Sequence, residues 1–153
     1  MLETMTNLKD ETVTGLKTIV KMNIDASKGF DEVAERIEDK DLASTFRRAS
    51  TQRSGFASEI KSALSLSDEE IPEDGTTLGS FHRAWIDLRA ALNGGDTKAM
   101  LAEASRGESS LVDTYEGVLK DTAGSPLNGT LHDQLTAVRA MQKSLKALKD
   151  KCD

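Results

Sequence analysis

The residues of this chain that could do chemistry lie at interior positions of its predicted helices. In one stretch, apolar residues recur every three or four positions, and Arg53 occupies the middle of that series. A second stretch carries Glu108 at a similar place in its own apolar series. A charge in a protein interior is costly unless it is paired. We therefore expect Arg53 and Glu108 to form a buried ion pair.

Helix counting places further polar side chains close to the level of this pair. Tyr115 shares the apolar series of Glu108, so its hydroxyl could bond Glu108 or a neighbouring group. Glu103 could hold Arg53 from the side. The candidate polar core layer consists of Asn23, Ser27, Arg53, Glu103, Glu108, Tyr115 and Gln134.

Five helices are predicted to position these residues. Four long helices cover about residues 7–38, 41–65, 97–121 and 126–150, and a shorter helix covers about 77–92. Asp96 can cap the helix that starts at 97, and the glycines at 94 and 95 can end the helix before it.

The chain between the second and third long helices, residues 66–96, is far longer than an ordinary loop. We expect it to travel the length of the molecule and to join two antiparallel hairpins, which is the ferritin-like four-helix-bundle arrangement. The helices of Arg53 and Glu108 then run parallel. Phe81 and Trp85 share one face of the short helix, and burial of that face is favoured over a partner-binding role. Residues 1–153 are predicted to form a single all-α domain.

The histidines argue against the dinuclear metal centres that such bundles can hold. Those centres use a glutamate from each of two helices and Glu-x-x-His from each of the other two. Neither His82 nor His132 has an acidic residue three or four positions away. In addition, Arg53 places a fixed cation where a metal needs anionic ligands. We therefore predict no metal ligand, no cofactor and no catalytic residue, and the pattern favours a non-enzymatic protein.

Two alternatives stay open. A degenerate ferritin-like oxidoreductase could hold iron or manganese with carboxylates alone, through Glu103 and Glu108. Alternatively, a small anionic ligand could bind in the core with Arg53 as its clamp. That cavity would be lined by three mid-helix glycines, although close helix packing is the favoured reason for their presence: Gly29, Gly55 and Gly107.

Composition limits the partners and the location. The net charge of −6 and the pI of about 5.0 argue against binding to nucleic acid. No apolar run approaches the roughly 20 residues of a membrane span, and the N-terminus lacks the regions of a signal peptide. Cys152 is the only cysteine, so no disulfide can form within the chain. We expect a cytoplasmic protein without membrane contact; a homodimer stays open, and no protein partner can be named.

Several motifs resemble an uncharacterised bacterial family. They include the segments Asp25–Phe30, Phe46–Arg48 and Leu78–Trp85, and the run Arg106-Gly107-Glu108 followed by Tyr115. The resemblance extends over about residues 8–148. The family is a domain of unknown function described as a ferritin-like four-helix-bundle protein. The resemblance therefore implies that fold and brings no established activity.

Overall fold

Five helices make up the computed structural model, which describes residues 3–75 and 79–152. They are α1 (Asp10–Arg36), α2 (Lys40–Leu66), α3 (Gly79–Asn93), α4 (Thr97–Asp121) and α5 (Asn128–Asp150). The described part of the chain contains no strand, so the expected all-α class is confirmed. The predicted start of the short helix at about residue 77 lies outside the described residues.

The ends of the helices follow from local chemistry. Asp39 accepts hydrogen bonds from the N–H groups of Asp41 and Leu42 and so caps α2. Asp96 caps α4 in the same way by accepting from the N–H of Ala99. Between α3 and α4, Gly95 has a φ of +71° and the N–H of Asp96 donates to the Ala91 carbonyl. A left-handed residue with this hydrogen bond ends a helix, and glycine adopts that conformation without steric cost.

Two of the long helices begin later than the periodicity predicts. α1 starts at Asp10 rather than near residue 7, because Thr4 and Asn7 pair through their backbones in a tight turn. α5 starts at Asn128 rather than near 126, because Ser125 accepts a hydrogen bond from the N–H of Leu127 in the preceding turn. Apolar periodicity does not detect such turns, whereas α2, predicted over about 41–65, is one residue longer at each end.

The long helices pack around a common apolar core. The backbone packing is closest between α1 and α2, and α4 lies against α3, α5 and α1. The α1–α2 and α3–α4 turns line one cleft at the same end of the molecule. Near the opposite end, Gly15 of α1 lies against Val118 of α4. It follows that α1 and α4 are antiparallel and that α2 and α4 run in the same direction.

The short helix α3 covers the groove between α1 and α4. Its inner face is fully or nearly fully buried and carries Phe81, Ala84, Trp85 and Leu88. Trp85 meets Phe30 of α1 edge to face, with ring centroids 5.3 Å apart. The predicted burial of this face is confirmed. None of the helices in the described ranges combines the length and apolar character that a membrane span requires.

Candidate functional site

The centre of the core holds an ion pair between α2 and α4. Arg53 Nη1 lies 2.6 Å from Glu108 Oε1, and Arg53 Nη2 lies 2.5 Å from Glu108 Oε2. Both side chains are completely buried, with 0% of their surface exposed. Two parallel, charge-assisted hydrogen bonds of this kind are the strongest geometry that a guanidinium and a carboxylate can adopt.

The direction of the helices brings this pair together. Arg53 and Glu108 occupy interior positions in the middle of α2 and α4, and because these helices run parallel the two residues reach the same level. The Phe30 ring covers the guanidinium, with Arg53 Cζ 5.4 Å from the ring centroid. Arg53 Nε also donates to the side-chain oxygen of Gln52 at 3.3 Å. The cation is therefore held by a carboxylate, an aromatic face and an amide.

A second polar group crosses the core as a chain of hydrogen bonds through the uncharged side chains of Asn23, Tyr115 and Gln134, here called the neutral chain. Asn23 Nδ2 lies 2.9 Å from the Tyr115 hydroxyl, which lies 2.7 Å from Gln134 Oε1. Gln134 Nε2 donates to Glu59 Oε1 at 2.8 Å and to the Phe56 carbonyl at 3.4 Å. This hydrogen-bond chain links α1, α4, α5 and α2, and it ends at the exposed carboxylate of Glu59.

Glu59 determines the direction of this chain. An ionised carboxylate only accepts hydrogen bonds, so the amide nitrogen of Gln134 must face Glu59 and its oxygen must face Tyr115. The hydroxyl of Tyr115 then donates to Gln134 and accepts from Asn23. Burial raises the pKa of Tyr115 far above its usual value of 10.0. The phenol therefore stays protonated and serves as a donor.

One buried oxygen of the neutral chain has no hydrogen-bond partner within the described chain. Asn23 Nδ2 also donates to the Ile19 carbonyl at 3.0 Å, which turns Asn23 Oδ1 away from Tyr115. Asn23 Oδ1 is buried and has no hydrogen-bond partner within the described chain. An unsatisfied buried acceptor costs about 1–3 kcal/mol, so this position weakens the layer.

Ser27 belongs to the same region but pairs only with α2. Its hydroxyl donates to the Ser50 carbonyl at 2.9 Å, and the Ser50 hydroxyl donates to the Ser27 carbonyl at 2.7 Å. This reciprocal pair joins the two helices of the first hairpin near Arg53. Ser50 was not among the predicted residues, since a serine beside the apolar series carries no distinctive sequence signal.

Glu103 does not hold Arg53, and that expectation is wrong. Its carboxylate lies 2.8 Å from Arg106 Nη2 in an ion pair, although this contact lacks hydrogen-bonding geometry. Arg106 also bonds Asp87 of α3 at 2.7 Å. Residues three apart share a face of a helix, so Arg106 reaches Glu103 from its own helix. Tyr115 likewise bonds Asn23 and Gln134 instead of Glu108.

The three mid-helix glycines do not line a common cavity, which corrects the alternative of a ligand clamp at Arg53. A Cβ on Gly29 would lie 2.3 Å from the Trp85 ring, and one on Gly107 would lie 3.7 Å from it. Trp85 therefore fills the space between these two glycines. Gly55 is exposed and has no atom within 4 Å of the corresponding position. Close packing of α3 explains the first two glycines, and nothing in the structure explains the third.

The predicted layer thus separates into distinct groups. Arg53 and Glu108 meet, Asn23, Tyr115 and Gln134 form the neutral chain, and Ser27 and Glu103 bond elsewhere. In the ranges 3–75 and 79–152, no three His, Cys, Asp or Glu side chains come together as a group that could hold a metal ion. The sequence did not indicate that Phe30 covers the cation, because Phe30 also fits the pattern of an ordinary core aromatic.

These features define a class: an all-helical protein with a buried, internally paired charge between its second and fourth helices. The family DUF2383, a domain of unknown function, matches residues 11–122, which is more than half of the chain. The chain belongs to this family. The match covers α1 to α4, and so includes Arg53, Glu108 and Tyr115 but not Gln134. No curated protein and no solved structure matches the chain.

Proposed function

We propose that this chain is a ferritin-like four-helix-bundle protein that acts through its surface, and that an ion pair stands where ferritin-like proteins hold metal. One observation carries the proposal: Arg53 donates a hydrogen bond to each carboxylate oxygen of Glu108, and neither side chain has any exposed surface. Both oxygens of the most buried carboxylate are engaged by a cation that cannot lose its proton.

The arrangement of the helices supports the ferritin-like part of this proposal. The α1–α2 hairpin and the α4–α5 hairpin are joined by one long connection that contains α3, and α2 runs parallel to α4. Bundles of this topology place functional side chains on the inner faces of facing helices. In this chain those inner positions carry Arg53 and a neutral hydrogen-bond chain.

Carboxylate-only metal binding finds no support in the donor set. Glu103 is engaged by Arg106, and Glu59 accepts from Gln134. Glu108 would have to exchange Arg53 for the metal, which would leave the guanidinium buried without a counter-charge. A non-enzymatic role is therefore the function that this geometry supports best.

The location of the protein is part of the same proposal. We infer a bacterial, cytoplasmic protein, on the basis of the motif resemblance and of a composition with a single, half-buried cysteine. Disulfide-poor chains are typical of reducing compartments.

Iron loading tests the proposal directly. The protein is purified without an affinity metal, exposed to ferrous iron in air, freed of unbound metal and analysed for its elemental content. We expect no stoichiometric iron in the wild type, in Glu108→Gln, or in the surface control Glu116→Gln. Stoichiometric iron that is lost in Glu108→Gln but kept in Glu116→Gln would contradict the proposal and support an oxidoreductase.

A further inference from the structure

The molecule consists of two halves joined by one connection. The first half is the α1–α2 hairpin and the second half contains α3, α4 and α5; residues 67–78 join them. The most extensive backbone packing occurs within the halves, between α1 and α2 and between α4 and its two neighbours α3 and α5. Each half is therefore a set of adjacent helices that are consecutive in sequence.

The central polar contacts run between the halves. Arg53 of the first half binds Glu108 of the second. Asn23 of the first half likewise donates a hydrogen bond to Tyr115 of the second. Gln134 of the second half reaches back to α2. The surface shared by the halves thus has a polar centre that neither half can complete alone.

This shared surface has the composition of an interface between proteins. Trp85 inserts beside Gly29 and stacks edge to face on Phe30. At the rim, Arg89 pairs with Glu32 at 2.8 Å and Arg36 donates to Asn93 at 2.6 Å. Buried aromatic and arginine anchors surrounded by polar rim contacts are typical of protein–protein interfaces.

The ion pair makes separation of the halves less unfavourable than an entirely apolar surface would. When the halves part, Arg53 and Glu108 both return to water, so neither charge is left buried without its partner. Because the desolvation of two buried charges offsets most of their attraction, an intact buried pair contributes little net stability. Its bidentate hydrogen bonds nevertheless make the association specific, because they form only with a half that presents the opposite charge at the same level.

Beyond the turn at residues 67 and 68 that ends α2, the sequence of the connection favours an extended chain. Its described part, residues 67–75, carries five acidic side chains and no Lys or Arg: Asp68, Glu69, Glu70, Glu73 and Asp74. Like charges in a linker repel one another and extend it. Pro72 also restricts Ile71 to extended conformations. An extended connection lowers the advantage of closing the two halves within one chain.

We propose that the partner of this chain is a second copy of itself, bound by exchange of halves. In that dimer, α1 and α2 of one chain pack against α3, α4 and α5 of the other, and each Arg53–Glu108 pair is shared between two chains. The exchanged dimer contains the same contacts as the closed single chain, and protein concentration determines which form prevails.

Charge complementation between two variants tests the exchange. Arg53→Leu and Glu108→Leu each leave one charge buried alone and should melt at lower temperatures than the wild type. When the two are unfolded together and refolded at high concentration, the mixed dimer contains one intact ion pair and one pair of leucines. We expect a species of dimeric mass that melts above both variants. A mixture that refolds as monomers and melts as the sum of its components would overturn the proposal.

A wild-type experiment covers the case in which the variants do not refold. Tagged and untagged wild-type chains are mixed either after folding or before a common refolding step, and the untagged chain retained on the tag is measured. Exchange of halves requires unfolding, so we expect co-retention after common refolding and almost none after mixing of folded protein. Co-retention under both conditions indicates a side-by-side dimer, and co-retention under neither indicates a monomer; either result would overturn the proposal.

Discussion

Helix α4 carries two ion-pair sites that are close in sequence and differ in their surroundings. Arg106 lies 2.7 Å from Asp87 and 2.8 Å from Glu103, while Arg53 lies 2.5 and 2.6 Å from the oxygens of Glu108. The side chains of Arg106 and Asp87 are 48% and 45% exposed, whereas those of the inner pair are fully buried. Nearly equal distances therefore describe two very different interactions.

The two ion pairs differ in energy because different surroundings replace each partner when the pair is broken. Water and salt take the place of an exposed partner, and for this reason exposed ion pairs contribute only about 0–1 kcal/mol. No water reaches the inner pair, so loss of one partner leaves the other as an uncompensated charge in the core. The energetic importance of a pair thus follows from its burial.

The largest expected effect is on the inner pair. Glu108→Leu leaves Arg53 without a counter-charge, so we expect the free energy of unfolding to fall by about 3–5 kcal/mol. Chemical denaturation monitored by helical circular dichroism would measure this loss.

The double variant with leucine at both positions is the matched control. Replacing a buried pair with apolar residues is often neutral or stabilising, so this variant should recover most of the lost stability. If Glu108→Leu unfolds at the same denaturant concentration as the wild type, the ion pair does not have the importance assigned to it.

An intermediate effect is expected at Tyr115, which is buried and uncharged. Its pKa is raised on folding, so the stability it contributes is complete below the unfolded-state pKa of about 10 and is lost as the pH rises above that value. Because Tyr115 is the only tyrosine, ultraviolet absorbance reports its ionisation alone. We expect the tyrosinate signal to appear only together with unfolding.

Tyr115→Phe provides the control for this titration. The variant should lack the tyrosinate signal and lose about 1–3 kcal/mol, because Asn23 and Gln134 each lose a buried hydrogen-bond partner. A smooth tyrosinate titration centred near the ordinary value of 10.0 in folded protein would show that the hydroxyl is accessible to solvent.

The smallest effect is expected at the exposed site. Arg106→Ala removes the contacts to Asp87 and Glu103, whose side chains are 45% and 24% exposed, and also removes the side chain that covers them. We expect a loss of less than about 1 kcal/mol, which decreases further as salt is added. A salt-independent loss as large as that of Glu108→Leu would remove the contrast between the two sites.

Much of the helical framework could be predicted from periodicity and capping residues. The start of α4 followed from Asp96, and the end of α3 near Gly94 and Gly95 followed from the glycine cap. The level shared by Arg53 and Glu108 could be predicted as well, because counting along parallel helices needs only the rise per residue. The capping inferences depend on local geometry, whereas the shared level also depends on the parallel direction of the two helices, which the length of the connection indicated.

The partners of the remaining polar residues could not be predicted in the same way. Glu103 and Glu108 lie on the same helix, yet one meets Arg106 and the other meets Arg53. Rotation of α4 about its axis and the position of α3 decide which carboxylate faces inward. For Gly29 and Gly107 the sequence favoured close packing over a cavity, but it could not show that Trp85 is the side chain that fills the space between them.

The sequence by itself determined that this protein is helical, that α4 begins after Asp96, that α3 ends at a glycine cap, and that two opposite charges occupy interior positions of two helices. These properties depend on the spacing and type of nearby residues. Only the tertiary structure decided that Glu108 has both oxygens bound by Arg53, that Tyr115 donates towards Glu59 through Gln134, and that Trp85 fills the slot between two glycines. Such contacts join residues far apart in the chain, and their formation depends on how whole helices pack.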